Sequence, residues 1–347
     1  MPKVSVIVPV YNTELFLRKC LDTILSQTLD DIEIIIVEDC STDNSYKICC
    51  EYARKYPTKI TLIRQAKNSG VAAARNIGIK NATGKYIAFV DGDDYLDKNM
   101  LEEMYNACEK TSAKVARVNR KLMYNGIDLS LLSRSVKYKK EELIVPGETN
   151  YLIDETPACT NKIFLREFIA DDYFPTDLKW EDYPYTIPIL ARAKEIVIVP
   201  NAAYYYNLNT GGTTVTDFRT FNPKVLDIFD GSDMIEQSTK TSNEKVKEQL
   251  NFIKMQNCMQ RLRDILYSDI PYHHKKELMT LVAALIKKKY GDWQDNPYYH
   301  QSKKRILYRL RMQLINGVID QYDTTDITEE ELLGKVKEKI DDIKKQS

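Results

Sequence analysis

The chain has 347 residues, 43% hydrophobic and 29% charged, the balance of a globular protein with core enough for one large domain or two medium ones. Its 50 basic and 50 acidic residues cancel to a formal charge of zero, so nothing global points to nucleic acid or to a strongly acidic partner. Seven cysteines without a Cys-x-x-Cys pair, an N-terminus running directly into an apolar strand, and no membrane-length apolar run set the expectation of a reduced, cytoplasmic protein, at most peripheral to a membrane.

Residues 3–10 form a β-branched run that reads as a strand, leading into Pro9, Tyr11 and Asn12. Thr13 is placed to cap a helix reaching about Ser26, with Leu17, Leu21, Ile24 and Leu25 on one face. A second apolar strand at 32–37 ends in Glu38 and Asp39, and a polar loop leads to a helix carrying Tyr46, Ile48, Cys49, Tyr52 and Ala53. A third strand is expected at 60–63, a helix over 70–80 after Asn68 and Ser69, and a fourth strand at 86–90. Continuous apolar strands alternating with helices predict an α/β fold whose mostly parallel sheet is covered on both faces. From about Phe221 the period becomes helical: Val246, Leu250 and Ile253, then Leu278, Leu281, Val282 and Leu285, then Ile306, Leu310, Leu314 and Val318. The last helix opens on a capping box of Thr328 and Glu331 and continues through Leu332, Val336, Ile340 and Ile343. The chain thus divides into an α/β part over 1–218 and a helical part over 219–347.

In open α/β sheets ligands bind beyond the carboxyl ends of the strands. Here successive strand ends deliver Tyr11 and Asn12, then Asp39, then Asp91, Gly92, Asp93 and Asp94. Carboxylates crowded around one glycine repel one another, and an all-oxygen set suits a hard ion, Mg²⁺ or Mn²⁺, shared with substrate phosphates. A solvated turn would use the same residue types. Polar groups at three strand ends in turn favour a site over that reading. No Ser/His or Cys/His arrangement for covalent catalysis is recognisable.

Four segments in order, VSVIVPVYN, IIIVEDCSTDNS, NSGVAAARNIGI and YIAFVDGDDYL, resemble glycosyltransferase family 2, inverting nucleotide-sugar transferases of the GT-A fold. A fifth, Trp180, Glu181, Asp182 and Tyr183, resembles the family's Glu-Asp element. Together they cover about residues 1–215. The resemblance implies a Rossmann-like GT-A catalytic domain, a UDP- or dTDP-sugar donor, a glycan or lipid-linked acceptor, and a place in capsule, exopolysaccharide or other surface-glycan assembly.

Residue by residue, Asp39 would accept the N3–H of uracil or thymine, a donor that cytosine lacks. Pro9, Tyr11, Asn12, Asn68 and Gly70 would belong to the nucleotide-sugar site, Tyr11 either lining the base pocket or simply packed after Pro9. Arg75 suits a diphosphate or a carboxylate of the site. Asp91 and Asp93, flanking Gly92, match the acid pair that holds the metal, Asp93 as direct ligand and Asp91 nearer the ribose or sugar hydroxyls. Asp94 either backs them or caps the next helix. Asp182 is the expected catalytic base, with Glu181 orienting it or pairing with a cation such as Lys179.

The helical part is not explained by the resemblance. It offers a homodimer surface, or contact with an anionic membrane through the basic run Lys303, Lys304, Arg305, Arg309 and Arg311. Two positions depart from the family pattern. Cys40 stands where a glycine is common, which argues against a positive φ there. Asn207 stands where an arginine is frequent, passing any phosphate contact to Thr213, Thr214 or the amides of Gly211 and Gly212. Two rival functions remain open. A nucleotidyltransferase acting on sugar phosphates normally has a glycine-rich, lysine-bearing N-terminal loop, unlike Val8, Pro9, Val10 and Tyr11. A non-catalytic nucleotide-sugar-binding relative is opposed by the intact Asp39, Asp91, Asp93 and Asp182.

Overall fold

Uninterrupted apolar strands must be buried on both faces, and the N-terminal half of the chain meets that demand by alternating strand and helix. The computed structural model describes residues 1–132, 137–208, 220–291, 296–298 and 327–346. Its first half runs β1 (Val4–Val10), α1 (Leu17–Leu25), β2 (Ile32–Glu38), α2 (Ser45–Lys55), β3 (Ile60–Arg64), α3 (Val71–Asn81) and β4 (Tyr86–Phe89). There follow β5 (Tyr95–Leu96), α4 (Met100–Thr111), β6 (Val115–Tyr124), β7 (Ile127–Asp128), β8 (Glu142–Ile144), α5 (Tyr151–Asp154), β9 (Lys162–Leu165), α6 (Asp182–Arg192) and β10 (Ile196–Asn207). Beyond them the described helices are α7 (Asp227–Ser238), α8 (Glu244–Tyr267), α9 (Tyr272–Tyr290) and α10 (Glu329–Gln346).

The strands form one sheet in the order β3-β2-β1-β4-β9-β6-β10-β5, with β7 added to β6 and β8 to β10. From β3 to β4 all pairing is parallel. The sheet then turns mixed, because β9 runs antiparallel to both β4 and β6. β10 pairs with β6 in parallel but slips register between Val199 and Ala203. Pro200 lies in that gap and has no N–H to give the ladder, so a bulge is the expected local answer. Past the bulge, β10 carries Tyr204 and Asn207 toward the carboxyl end of β4.

Side chains alternate across β1. Val4, Val6, Val8 and Val10 pack with α1, α2 and α4, while Ile7 joins a second cluster with α3, α6 and the helices α7 to α10. α3 sits directly on that second face: a Cβ at Gly78 would lie 2.3 Å from Ile7 Cγ2, so only glycine fits. The helices after residue 219 therefore share a core with the sheet.

α1 begins later than the sequence predicts. The Thr13 carbonyl accepts from the amides of Phe16 and Leu17, while its hydroxyl is buried without a hydrogen-bond partner. Thr13 thus opens the turn with its backbone and not as a side-chain cap. The predicted capping box does form: Thr328 N donates to Glu331 Oε2 at 2.8 Å and Glu331 N to Thr328 Oγ1 at 3.2 Å. All seven cysteines are free thiols. No described helix is long and apolar enough to cross a membrane. The basic run with Lys303 and Arg311, the apolar stripe with Ile306 and Val318, and Gly211, Gly212, Thr213 and Thr214 lie outside the described residues.

Candidate active site

The carboxyl ends of β1, β2 and β4 open into one cleft of about 840 Å³. Its walls are completed by α3, by residues just before and within α6, and by α8. Of the residues singled out by sequence, Pro9, Tyr11, Asp39, Asn68, Gly70, Arg75, Asp91, Gly92, Asp93, Glu181 and Asp182 all line it. Asn12 does not. Its Oδ1 accepts from Thr42 N at 2.8 Å and its own amide donates to Ser41 Oγ, so it ties the loop after β2 to the end of β1. Tyr11 stands 43% exposed on the cleft wall and is not packed.

Asp39 is 2% exposed. Its Oδ1 accepts from Gln65 Nε2 at 2.6 Å and Ser69 N at 2.8 Å, and its Oδ2 from Gly70 N at 2.8 Å. It therefore anchors the turn that starts α3, a role sequence reasoning gave it no credit for. Burial raises its pKa, against the lowering effect of the Ser69 and Gly70 amides. A carboxylate offers about four lone-pair positions, so Oδ2 keeps one for a further donor.

Cys40, the next residue, corrects an expectation: it adopts φ +61° although it is not glycine. The left-handed conformation costs roughly 1–2 kcal/mol. Asp39 N donating to Val10 O and Ser41 N to Glu38 Oε1, at 2.6 Å, hold the turn on either side and offset that cost.

The centre of the cleft is an ion cluster around Arg75. The small residues Ala72, Ala73 and Ala74 let α3 approach the sheet closely, which buries the guanidinium to 3% exposure. Nη1 donates to Glu181 Oε1 at 2.8 Å and to Asp182 Oδ1 at 2.7 Å, and Nη2 to Asp91 Oδ1 at 2.8 Å. Of the two partners expected for Arg75, it has carboxylates, and Glu181 finds its cation here. Burial works against the Arg75 charge, but Asp182, Asp91 and Glu181 outweigh it and keep the group protonated. Burial and the neighbouring Asp182 charge raise the Glu181 carboxyl, with Arg75 opposing. Asp182 begins α6, its side chain 27% exposed; Oδ1 also accepts from Cys159 Sγ at 3.4 Å. Oδ2 is thereby left to an incoming group. Trp180, just upstream, has φ +60°, rare for so bulky a residue, and its ring lies under the Arg261 guanidinium at 3.9 Å.

Asp94 does not cap α4, which starts six residues later at Met100. It is buried behind the acidic turn, where Tyr204 Oη donates to Oδ2 at 2.5 Å and Asn207 N to Oδ1 at 2.8 Å. Burial and the adjacent Asp93 and Asp91 charges push its carboxyl well up. Asn207 Nδ2 also donates to Asp93 O, so the residue lacking the family's arginine braces the turn. Gly92 is closely packed: an added Cβ would lie 3.0 Å from Thr13 Oγ1 and 3.3 Å from Pro9 O.

Sequence reasoning missed the far wall. Gln256, Asn257, Gln260, Arg261, Arg263 and Asp264 of α8 line the cleft, as does the loop of Thr156, Pro157, Ala158 and Thr160. The available signal was a run of three amides, Gln256, Asn257 and Gln260, followed by Arg261, Arg263 and Asp264 in the second half of this helix.

Both the sequence and the fold have relatives among known proteins. The model of "Glycosyl transferase family 2" matches residues 5–172. The glycosyltransferase GlyG of Streptococcus pneumoniae is 30% identical over 227 residues, 62% of this chain and 74% of GlyG. The chain belongs to glycosyltransferase family 2. EpsJ of Bacillus subtilis, an uncharacterized glycosyltransferase, is 32% identical over 63% of this chain and 65% of its own length. The poly(ribitol-phosphate) β-N-acetylglucosaminyltransferase TarS of Staphylococcus aureus is 29% identical over 59% of this chain and 35% of TarS. The chain spans 65% or less of several curated relatives, down to 16%. Among solved structures, S. aureus TarS 1–349 in complex with UDP superposes with a TM-score of 0.66 at 21% identity, covering 93% of this chain and 94% of that one. A mannosyltransferase from Pyrobaculum calidifontis in complex with GDP-Man and Mn²⁺ gives 0.54 at 17% identity, covering 92% and 88%. The fold is GT-A.

Proposed function

We propose that the chain transfers a sugar, with inversion and metal dependence, from a UDP- or dTDP-sugar to an acceptor hydroxyl during surface-glycan assembly. One observation carries this reading: Asp39, Asp93 and Asp182, far apart in sequence, line a single cleft. Residues 1–218 form the catalytic part, and the helical part adds a wall to it. Asp39 takes the base through N3–H, with Tyr11 beside it; the UDP bound by TarS supports a uracil donor. The name of TarS likewise supports a surface polymer as acceptor.

The donor set fits a hard divalent ion. Asp91 and Asp93 offer only oxygen, and Arg75 is bonded to Asp91, Glu181 and Asp182. Such an all-oxygen set suits a hard cation. Among the described residues no group of three or more His, Cys, Asp or Glu is arranged to hold a metal. Mg²⁺ and Mn²⁺ tolerate this, since one or two protein carboxylates suffice when substrate phosphates complete the shell. Asp93, with Asp91, would hold the ion, which when bound acts as a Lewis acid on the leaving diphosphate.

The acceptor oxygen bonds to the anomeric carbon as the bond from that carbon to the diphosphate oxygen breaks on the opposite face. The hydroxyl proton passes to Asp182 Oδ2, while Arg75 fixes Oδ1 and so sets the carboxylate's orientation. Glu181, on the same guanidinium, holds Arg75 in place. Asp182→Asn tests this. Transfer is expected to fall by about 10²–10⁴-fold with UDP affinity retained, measured by radiolabelled transfer and calorimetry. Undiminished transfer would remove the base.

A further inference from the structure

We propose that α8 carries the acceptor subsite: Gln256, Asn257 and Gln260 hydrogen-bond the hydroxyls of an uncharged glycosyl unit and hold it against Asp182. The proposal rests on the transfer reading above and names the acceptor class for it.

Between Phe252 and Ile265 no residue of α8 is exposed, and Phe252, Met255, Met259 and Leu262 are buried. A polar side chain in such a helix is costly unless partnered. Gln256 is nevertheless 4% exposed, lines the cleft, and its Nε2 has no hydrogen-bond partner. Asn257 gives one donor to Ile253 O and turns toward the same cleft. Gln260 follows Gln256 by one helical turn, so the two share a face. That face is fixed relative to the base, because Arg261 covers Trp180, two residues before Asp182, at 3.9 Å. Asp39 and Asp93, the proposed donor residues, line the cleft from the strand ends, and the amides line it from α8.

The chemistry selects the ligand. A carboxamide both donates and accepts, which matches hydroxyls, themselves donors and acceptors. Arg261 Nη1 and Arg263 Nη2 share Asp264, at 2.9 and 2.8 Å. The carboxamides of Gln256 and Gln260 are themselves neutral, and the hydroxyls of a sugar ring match their paired donor and acceptor.

The test is saturation-transfer NMR on the full chain with UDP bound, using methyl β-glucoside and methyl β-galactoside as neutral probes and glycerol 3-phosphate as the anionic one. UDP affinity is measured separately by calorimetry. Gln256→Leu and Gln260→Leu, both compatible with a helix, are each expected to weaken the glycoside signal by about three- to tenfold with UDP affinity preserved. Preserved UDP binding also reports correct folding. Normal UDP binding with glycoside signals that are absent from wild type, unaffected by both variants, or replaced by glycerol 3-phosphate alone would overturn the proposal. Failure of the wild type to bind UDP would instead strike the transfer reading itself.

Discussion

Glu155→Gln probes the loop that forms one side of the cleft, through a charge cluster buried beneath it. Glu155 Oε2 binds Arg117 Nε at 2.9 Å and Oε1 lies 3.4 Å from Lys162 Nζ, with all three side chains at 0% exposure. Lys162 also donates to Ala158 O at 2.8 Å, so the cluster pins the segment that presents Cys159 to Asp182. Burial alone would raise the Glu155 carboxyl, but Arg117 and Lys162 outweigh it and hold it down to about 2, from 4.5. At about 1.4 kcal/mol per pH unit that drop corresponds to about 3 kcal/mol of stability. Removing one partner of a buried ion pair costs about 3–5 kcal/mol, the same order.

The pH dependence has a definite sign. The folded-state value lies below the unfolded one, so this stability is fully present above pH 4.5 and is lost as pH falls toward 2. Urea unfolding followed by circular dichroism should show Glu155→Gln about 3 kcal/mol less stable at neutral pH. The variant should also have a shallower acid slope, by up to about 1.4 kcal/mol per pH unit, inside that window. Transfer should weaken more than UDP affinity, because the loop presents Cys159 to Asp182, the proposed base. A cost below about 1 kcal/mol with an unchanged acid slope would refute the account of a compensated ion cluster.

Asp39→Asn should cost about 1–3 kcal/mol, because an amide N–H must then face the donors of Gln65, Ser69 or Gly70. It should also erase the preference for UDP over CDP in calorimetry; an unchanged preference would sever Asp39 from the base. Gly92→Ala places a Cβ 3.0 Å from Thr13 Oγ1 and 3.3 Å from the Pro9 carbonyl, so the acidic turn must shift by a few tenths of an ångström. A loss of about 1–2 kcal/mol in thermal unfolding is expected, with a disproportionate loss of transfer. Chelation by EDTA should abolish transfer, and Mn²⁺ should restore it in wild type but not in Asp93→Asn; transfer that survives chelation would rule out the metal.

What sequence could and could not show follows from how far each signal travels along the chain. The strands of the parallel half, the helical period after Phe221 and the capping box at Thr328 are local patterns, and strand ends in an α/β sheet carry their own pointer to a site. Partners were harder. Arg75 lies 106 and 107 residues from Glu181 and Asp182, and no spacing rule joins a helix on one side of the sheet to a turn before α6. The wall from α8 was hidden for the same reason. Cys40 failed differently: glycine makes a left-handed turn cheap, but its absence does not forbid one when flanking hydrogen bonds repay roughly 1–2 kcal/mol.

The Arg75 cluster then says something that no single motif holds. One guanidinium grips Asp91 from the acidic turn and Asp182 from α6, so the proposed donor and base sides of the cleft share a buried cation. Movement of the acidic turn as the diphosphate departs would be transmitted to the orientation of Asp182 Oδ2 through two hydrogen bonds of 2.8 and 2.7 Å. Arg75→Lys keeps the charge but loses the planar fork, and a point charge cannot hold three carboxylates in fixed directions. Its transfer rate should therefore fall far more than its UDP affinity, in a comparison of single-turnover kinetics with calorimetry. Equal losses in both would mean that Arg75 serves the donor alone.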